Sequence, residues 1–405
     1  MSVLDAAIIG AGAAGIAAAR RLIGAGRRVV VLEARDRAGG RAVTDHSLGA
    51  PADLGAAWLH FARINAWTSQ AEAGGYTILR RPPGWGPAAW IGNREPTVAE
   101  RAASGAAYAR YHQLIEAAAA AGRDVSLADV LPDDDYRPRF DAVMTWAVGV
   151  ETRDVSTMDL HRYADSDDNW GVREGLGTVV AAAAQGLPLH FGARVTAIDW
   201  AGDTVLVDST AGRIEARAVI VTVPTTVLAR EAIRFTPGLP AAHLAALADL
   251  PLGVVNKVFF RIERGRFADG QTRHFLGSAS TSRTCSWNVN AAGQPLLTAF
   301  FGGDLSWELE QRGELIDFAR AELRRIFGAE ILDELGAALA TGWGADPHSM
   351  GSYSAARPGR ADCRAQLALP VSPRLHFAGE ACSEHYYGTL HGAWLSGSEA
   401  AGRLL

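Results

Sequence analysis

The chain has 405 residues, enough for two or three domains and a large apolar core. Hydrophobic residues make up 48% and charged residues 20%, which excludes an intrinsically disordered chain. A formal net charge of −5 excludes the basic excess of a nucleic-acid-binding surface, and three cysteines (Cys285, Cys363, Cys382), spaced for neither a disulfide framework nor a zinc site, point to a reducing cytoplasm and no metal.

In chain order, residues 3–9 read as a buried parallel strand, too short for a signal-peptide core and running straight into a glycine turn. No run approaches the roughly 18 apolar residues of a membrane span, and Leu404-Leu405 is neither a prenylation nor a peroxisomal signal, so no integral membrane or targeting segment is expected. Residues 13–25 form an alanine-rich helix and 28–32 a second β-branched strand, a βαβ start. The stretch 80–96, rich in Pro, Gly and Trp, marks passage into another domain; 100–121 is helical, and Asp133, Asp134 and Asp135 sit in a solvated turn. After Gly177 comes a helix, then a β-meander of strands 194–199, 203–208 and 216–224, punctuated by Gly202-Asp203 and Gly212. Strands 256–262 and 296–301, an amphipathic helix 314–327, a strand 375–379 and a last helix 392–404 complete the chain.

Gly10-Ala11-Gly12-Ala13-Ala14-Gly15 fits GxGxxG, with a strand before it, a helix after it and Glu33 closing the next strand. Gly10 permits the tight turn, Gly12 lets a pyrophosphate approach the backbone, and Gly15 allows close helix–strand packing. Glu33 can accept hydrogen bonds from both ribose hydroxyls, and its charge disfavours the 2′-phosphate of NADP. These features specify a dinucleotide without separating FAD from NAD. The run from Arg35 through Gly39-Gly40-Arg41 makes the separation: it supplies backbone N–H groups and a fixed cation for a second approach to the diphosphate, as FAD requires.

Five blocks then resemble the flavin-containing amine oxidase superfamily of monoamine oxidases, polyamine oxidases and lysine-specific histone demethylases. They are GAGAAG with Glu33 and AGGR, DLGAAWLH (53–60), NKVFF (256–260), GWGADPHSMGSYS (342–354) and FAGEACSEHYYGTLHGAWLSG (377–397). The last block looks closest to polyamine oxidases. The resemblance implies an α/β (mixed α+β) architecture in which a Rossmann-like FAD domain (about 1–79, 173–246 and 345–405) is interleaved with a sheet-plus-helices substrate domain (80–172 and 247–344).

It also implies residue roles. Lys257 would face the flavin, holding a water and assisting reaction with oxygen. Trp343 would pack beside the isoalloxazine, and Tyr353 would form one wall of an aromatic cage for the amine. The second cage position falls on Thr389, so a paired tyrosine sandwich is not expected, although Tyr386 or Tyr387 could partly restore one. Ser352 stands where some relatives carry the cysteine that bonds flavin, which implies noncovalent FAD. His60, with Asn65 in the same loop, is either a histidine that hydrogen-bonds the substrate amine or a structural one. Glu380, after Gly379, resembles the acid on the ribityl chain; Leu390 and Ala393 would turn the last helix's N-terminus toward the flavin, and Val195 would contact adenine. Further cofactor contacts carried over are Ala14, Ala34 and Arg35 near the glycine turn and Gly55, Ala56, Ala57 and Trp58 in the second loop.

The implied reaction oxidises a C–N bond of a primary or secondary amine, such as a polyamine, to an imine, with oxygen reduced to hydrogen peroxide. Trp58, where some L-amino-acid oxidases carry a carboxylate-binding arginine, disfavours an amino acid, though Arg63 or Arg81 could substitute. The run from Asp165 to Asp168 is either a polyamine attractor or a solvated face, and the Trp85/Trp90 loop either an aromatic-amine contact or packing. Two other readings stay open: an amino-acid oxidase, desaturase or porphyrinogen-oxidase type, and a non-catalytic binding protein like the GDP-dissociation inhibitors. Expected partners are a small amine and oxygen, with no nucleic acid; a homodimer is left open.

Overall fold

A computed structural model of the chain describes residues 3–80, 90–166 and 168–405. Strand Leu4–Ile9 is flanked on both sides by parallel partners, Val29–Leu32 and Gly212–Val221. Leu189–His190 extends this sheet on one side, and Leu375–Phe377 pairs with the last residues of Gly212–Val221. Because both faces are covered, residues 6–9, Val29–Leu32 and residues 218–221 are continuous buried runs of Ala, Val, Ile and Leu rather than alternating ones. On one face lies helix Ala13–Gly24, and against it the final helix Leu390–Gly402. Their approach explains the alanine content: a Cβ on Gly397 would stand 2.0 Å from the Ala14 carbonyl oxygen, so only small residues fit the seam. The first and last helices of the chain thus pack together on one face of the sheet.

The meander is present as Val195–Asp199, Val205–Ser209 and Gly212–Val221, antiparallel in sequence. Its third strand differs from the expected 216–224. It starts earlier because Ser209 pairs with Gly212 across a two-residue turn, where Gly212 adopts φ +113°. It ends at Val221 because Pro224, which has no N–H to donate, starts helix Thr225–Ala229 instead. The expected strand 375–379 likewise stops at Phe377, just before Gly379 at φ +145°.

A second sheet has the order Leu335–Ala340, Val255–Ile262, Leu296–Gly302, Ser286–Val289, Arg273–Leu276 and Trp90–Ile91. Its register decides what faces the site. Directly opposed residues share a face, so one row runs Lys257, Phe300, Ser286, Leu276 and a second runs Phe259, Thr298, Asn288, His274. The other face carries Val258, Ala299, Trp287 and Phe275 into a core closed by helices Gly303–Arg312 and Leu315–Phe327. Trp90 packs against that core, which settles its part of the Trp85/Trp90 alternative as packing; Trp85 and Arg81 lie outside the described residues.

Three helices roof the first face: Val98–Ala120, Arg137–Val148 and Thr157–Arg162, with Tyr111, Phe140 and Val148 among their shared core. Val98–Ala120 begins in a full capping box, Thr97 and Glu100 each bonding the other's backbone N–H. Arg137–Val148 reaches the sheet closely enough that a Cβ on Gly302 would lie 2.0 Å from the Thr145 carbonyl oxygen. The acidic turn before it is less solvated than expected, since Asp134 accepts hydrogen bonds from Arg110 and the Tyr111 hydroxyl. Among the described residues no helix is long and apolar enough to cross a membrane.

Candidate functional site

One continuous cavity of about 1450 Å³ is lined by both sheets and by the roofing helices. At one end is the glycine turn. Gly10 takes φ +104°, and a Cβ there would stand 2.6 Å from the Thr222 hydroxyl. Helix Ala13–Gly24 starts at Gly12 with no side-chain cap and no acid in its first turn, while Gly12, Ala13 and Ala14 line the cavity. Uncapped N–H groups at a cavity-facing helix start are what a diphosphate needs. Gly40 (φ +58°) comes so close that its Cβ would sit 3.3 Å from the Gly12 Cα, which brings the second glycine loop against the first.

Glu33, 6% exposed, accepts from the Ala11 N–H at 2.7 Å and the Arg35 N–H at 2.9 Å. A carboxylate has about four acceptor positions, so two stay open for ribose hydroxyls. These residues fit FAD. Arg35 offers its backbone, because its guanidinium is held by Asp346 at 2.7 and 2.8 Å and by Ser349. Gly15 alone among the expected cofactor contacts does not line the cavity: its Cβ would stand 1.9 Å from the Gly10 carbonyl oxygen, so it acts from behind the turn. A Gly15→Ala chain should therefore purify largely without flavin, at a cost of about 1–3 kcal/mol or more in stability; a wild-type ratio of flavin to protein absorbance would refute this.

The middle of the cavity is built around Lys257. Its ammonium donates to the carbonyls of Asp53 (2.8 Å) and Gly55 (2.6 Å), joining the sheet to the second loop. Burial pulls its pKa down to about 8, opposed by the Asp53 charge. Asp53 itself caps helix Leu176–Ala183, accepting from the N–H groups of Leu176 and Gly177 and from the Thr44 hydroxyl. Trp343 donates its indole N–H to the Leu54 carbonyl at 3.0 Å and stands against Gly55. Ser352 both donates to and accepts from the Val255 backbone at 2.9 Å, so its hydroxyl is spent on the lysine strand. Arg41 bonds the Ser352 carbonyl and Glu380. Glu380 also receives the Ser354 hydroxyl (2.7 Å) and the Gly388 N–H (2.9 Å); burial would raise its pKa, but Arg41 and Arg364 outweigh it and hold the carboxyl below the usual range.

Tyr353 lines the cavity beside the Gly388 backbone, and burial together with nearby Tyr163 pushes its phenol above the usual range, so it is a neutral aromatic wall. Tyr163 and Tyr387, whose ring centroids are 4.9 Å apart, line the same cavity. Tyr387, not Tyr386, joins this wall; Tyr386 packs behind it on Phe61 and His391. Thr389 lines the cavity, but its hydroxyl donates to the Tyr386 carbonyl and accepts from the Gly392 N–H, capping the last helix. Leu390 and Ala393 follow it at the cavity edge, as do Ala34, Ala56, Ala57, Trp58, Val195 and Gly379 elsewhere along it.

His60 reaches the same space. Its Nδ1 lies 2.5 Å from Asn169 Oδ1, while the Asn169 amide nitrogen donates to the Ser166 carbonyl. Because Oδ1 only accepts, Nδ1 carries the hydrogen and Nε2 is left as an acceptor. Burial lowers the His60 pKa against the pull of Asn169, keeping the ring neutral. Asn65 does not join the site: it caps helix Ala66–Ala73. Arg63 is 74% exposed and paired with Asp168 at 2.7 Å, outside the cavity, so it offers no carboxylate clamp there. Of the acidic run, Asp165 lines the cavity, Asp168 is held by Arg63, and Asp167 is outside the described residues. Sequence reasoning missed Tyr163, Tyr108 and Arg139, all cavity-lining residues from the roof.

Comparison with known proteins agrees with this arrangement. The model of the family described as flavin containing amine oxidoreductase matches residues 13–75 and 112–405. Polyamine oxidase 4 of Oryza sativa subsp. japonica is 31% identical over 439 residues, covering 97% of this chain and 87% of that protein. Polyamine oxidase 2 of Arabidopsis thaliana is 31% identical over 437 residues, covering 97% and 86%. A solved structure of a putrescine oxidase triple mutant, redesigned in its cofactor binding, shares the fold with a TM-score of 0.80 at 22% identity over 98% of each chain. With the family model spanning Lys257, Trp343, Tyr353 and the helix that closes on the glycine turn, the chain belongs to the flavin-containing amine oxidoreductase family, as an FAD-dependent amine oxidase.

Proposed function

We propose that this oxidase binds FAD without a covalent link, takes a small primary or secondary amine against the Tyr353 wall, and delivers the electrons to oxygen as hydrogen peroxide. The observation that carries the reading is the continuity of one cavity from the Gly10–Gly12 cradle, past Lys257 and Trp343, to Tyr353 and His60. Bound FAD supplies two-electron oxidation of the C–N bond. The chain's own residues do the rest. Gly10, Gly12, Gly40 and the uncapped helix start hold the diphosphate; Glu33 holds ribose; the neutral Tyr353 and Tyr387 rings present apolar faces to the carbon next to nitrogen. His60 Nε2 accepts a hydrogen bond from the amine and orients its lone pair, a positioning role the neutral ring can keep at pH 7. The two sheets support the interleaved division of the chain, and three buried, unpaired cysteines support a reducing compartment.

The noncovalent link follows from Ser352, whose hydroxyl is committed to Val255. Acid precipitation of the yellow holoprotein should release all flavin to the supernatant; flavin left in the pellet overturns this part. A peroxide-coupled panel of spermidine, putrescine, tyramine and L-amino acids tests the rest, with anaerobic flavin bleaching as the direct readout. Failure of every amine to bleach the flavin removes the oxidase reading, and a colourless purified protein would favour a binding role.

A further inference from the structure

We propose that the far end of the cavity is an anion subsite built on Arg139, and that the substrate is an amine bearing a carboxylate at the opposite end of an aliphatic chain. The proposal rests on the amine-oxidase reading of the near end. Arg139, on the roofing helix Arg137–Val148, lines the cavity and is 8% exposed. Its Nη1 donates to the Ser104 hydroxyl at 3.0 Å, its Nε is enclosed with no partner, and among the described residues no Asp or Glu pairs with it. Arg364, which is fully enclosed, shows the usual solution: Asp159 answers it with two hydrogen bonds at 2.6 and 2.9 Å. The Tyr108 ring, 5.8 Å from the Arg139 Cζ, gives Arg139 a cation–π contact but no counter-ion, and a buried guanidinium without a counter-ion is unfavourable unless something else brings the negative charge. The cavity gives that something access.

The surroundings suit a carboxylate. His274, 8% exposed, bonds Ser286 through Nε2 at 2.7 Å and leaves an enclosed Nδ1 without a partner. Burial first, and the Arg139 charge second, hold this ring neutral, so it adds polarity without a second cation. The acid at the cavity's other roof position, Glu116, is twelve residues along helix Val98–Ala120 from Ser104, about 18 Å at the helical rise. It is also already bonded to His161. Glu116 therefore does not neutralise Arg139.

Position sets the length of the ligand. His274 stands three strands across the floor from the Lys257 strand, roughly 14 Å at the usual strand spacing. Between them the walls are mixed: Phe300 on the floor and Val143 and Met144 on the roof favour methylene groups, with Leu276 beside His274 at the far end, while Ser286, Thr298 and Asn288 are uncharged and set no charge against the chain. An α-amino acid carries its carboxylate beside the reacting carbon and cannot span this gap. A polyamine of matching length would set an ammonium against Arg139.

The test uses the holoenzyme and its Arg139→Gln and Arg139→Lys variants with three unbranched series of six to twelve carbons: ω-amino carboxylates, α,ω-diamines and n-alkylamines. Anaerobic flavin reduction should be most efficient with one ω-amino carboxylate, whose half-saturating concentration rises about 30-fold or more in Arg139→Gln, the factor for truncating one member of a buried charge pair. Arg139→Lys should recover part of it, and n-alkylamines should shift far less. Binding of the matching n-alkyl carboxylates, read from the flavin spectrum and the melting temperature, should stabilise the wild type and not Arg139→Gln. If diamines or alkylamines reduce the flavin as well as ω-amino carboxylates, or Arg139→Gln weakens all three series alike, the subsite is wrong and the oxidase reading stands. If no amine reduces the flavin, the oxidase reading falls, and alkyl-carboxylate binding alone decides the subsite. Loss of flavin or of melting temperature in Arg139→Gln would mark a structural arginine and overturn the proposal.

Discussion

An Arg364→Met chain should lose about 3–5 kcal/mol of stability, the cost of stranding one member of a buried ion pair. The side chains of Arg364 and Asp159 are 0% and 4% exposed, so solvent cannot answer the orphaned carboxylate. The guanidinium also donates to the Ser354 hydroxyl at 2.8 Å and its carbonyl at 3.0 Å, and lies 3.7 Å above the Tyr387 ring. Asp159, from helix Thr157–Arg162, receives the Ala356 N–H on its carboxylate and the Tyr387 hydroxyl on its carbonyl. One pair thus fixes the roof, the Tyr353 segment and the Tyr387 wall together. Its loss should move the tyrosines and slow anaerobic flavin reduction on the order of 100-fold, as a displacement of about 1 Å can do. Urea titration of the holoprotein measures the first effect. The double variant Arg364→Met with Asp159→Leu should regain most of the stability, because apolar residues of similar volume replace such pairs well. A single-variant loss under about 1 kcal/mol would show that the roof is held elsewhere.

The nucleotide end of this site was legible because its determinants are local: a strand, three glycines, a helix and Glu33 act within 33 residues, each with a fixed physical reason. Lys257, Trp343 and Tyr353 are far apart in sequence, and only the resemblance joined them. The roof was not legible. Helix Arg137–Val148 follows three aspartates and has Pro138 in its first turn, a pattern that reads as a turn although proline is well placed there. The capping box of Thr97 and Glu100 was an available signal for the start of helix Val98–Ala120, which the alanine run placed two residues late. Tyr163 and Arg139 carry no local mark at all. They matter because two helices cross a sheet whose strand order no periodicity reveals. Thr389 shows the limit of carrying roles across a resemblance: position in a motif suggested the cage, but its hydroxyl is occupied in starting a helix.

Replacing Lys257 with methionine should slow reoxidation of the reduced enzyme by oxygen on the order of 100-fold, comparable to removing one charge-stabilising donor from an active site. Amine-driven reduction should change far less, because the tyrosine wall and His60 do not touch this lysine. The wild type carries its own internal control in pH. Burial lowers the Lys257 pKa to about 8, the Asp53 charge opposing it, so the ammonium predominates below that pH and is lost above it. Reoxidation should therefore sit on a plateau below about 8 and fall as pH rises through it, while the Lys257→Met profile stays flat. Stability runs the other way. The unfolded lysine keeps its proton up to about 10.4, so between roughly 8 and 10 the unfolded chain binds more protons and this group's contribution to stability rises with pH. A conformational loss at high pH would lower stability and rate together; a titrating ammonium lowers the rate while its own linkage favours the fold. Stopped-flow reoxidation and urea midpoints across pH 7 to 10 separate the two. If the wild-type reoxidation rate is flat over that range and the methionine variant matches it, Lys257 is a brace between Asp53 and Gly55 and no more.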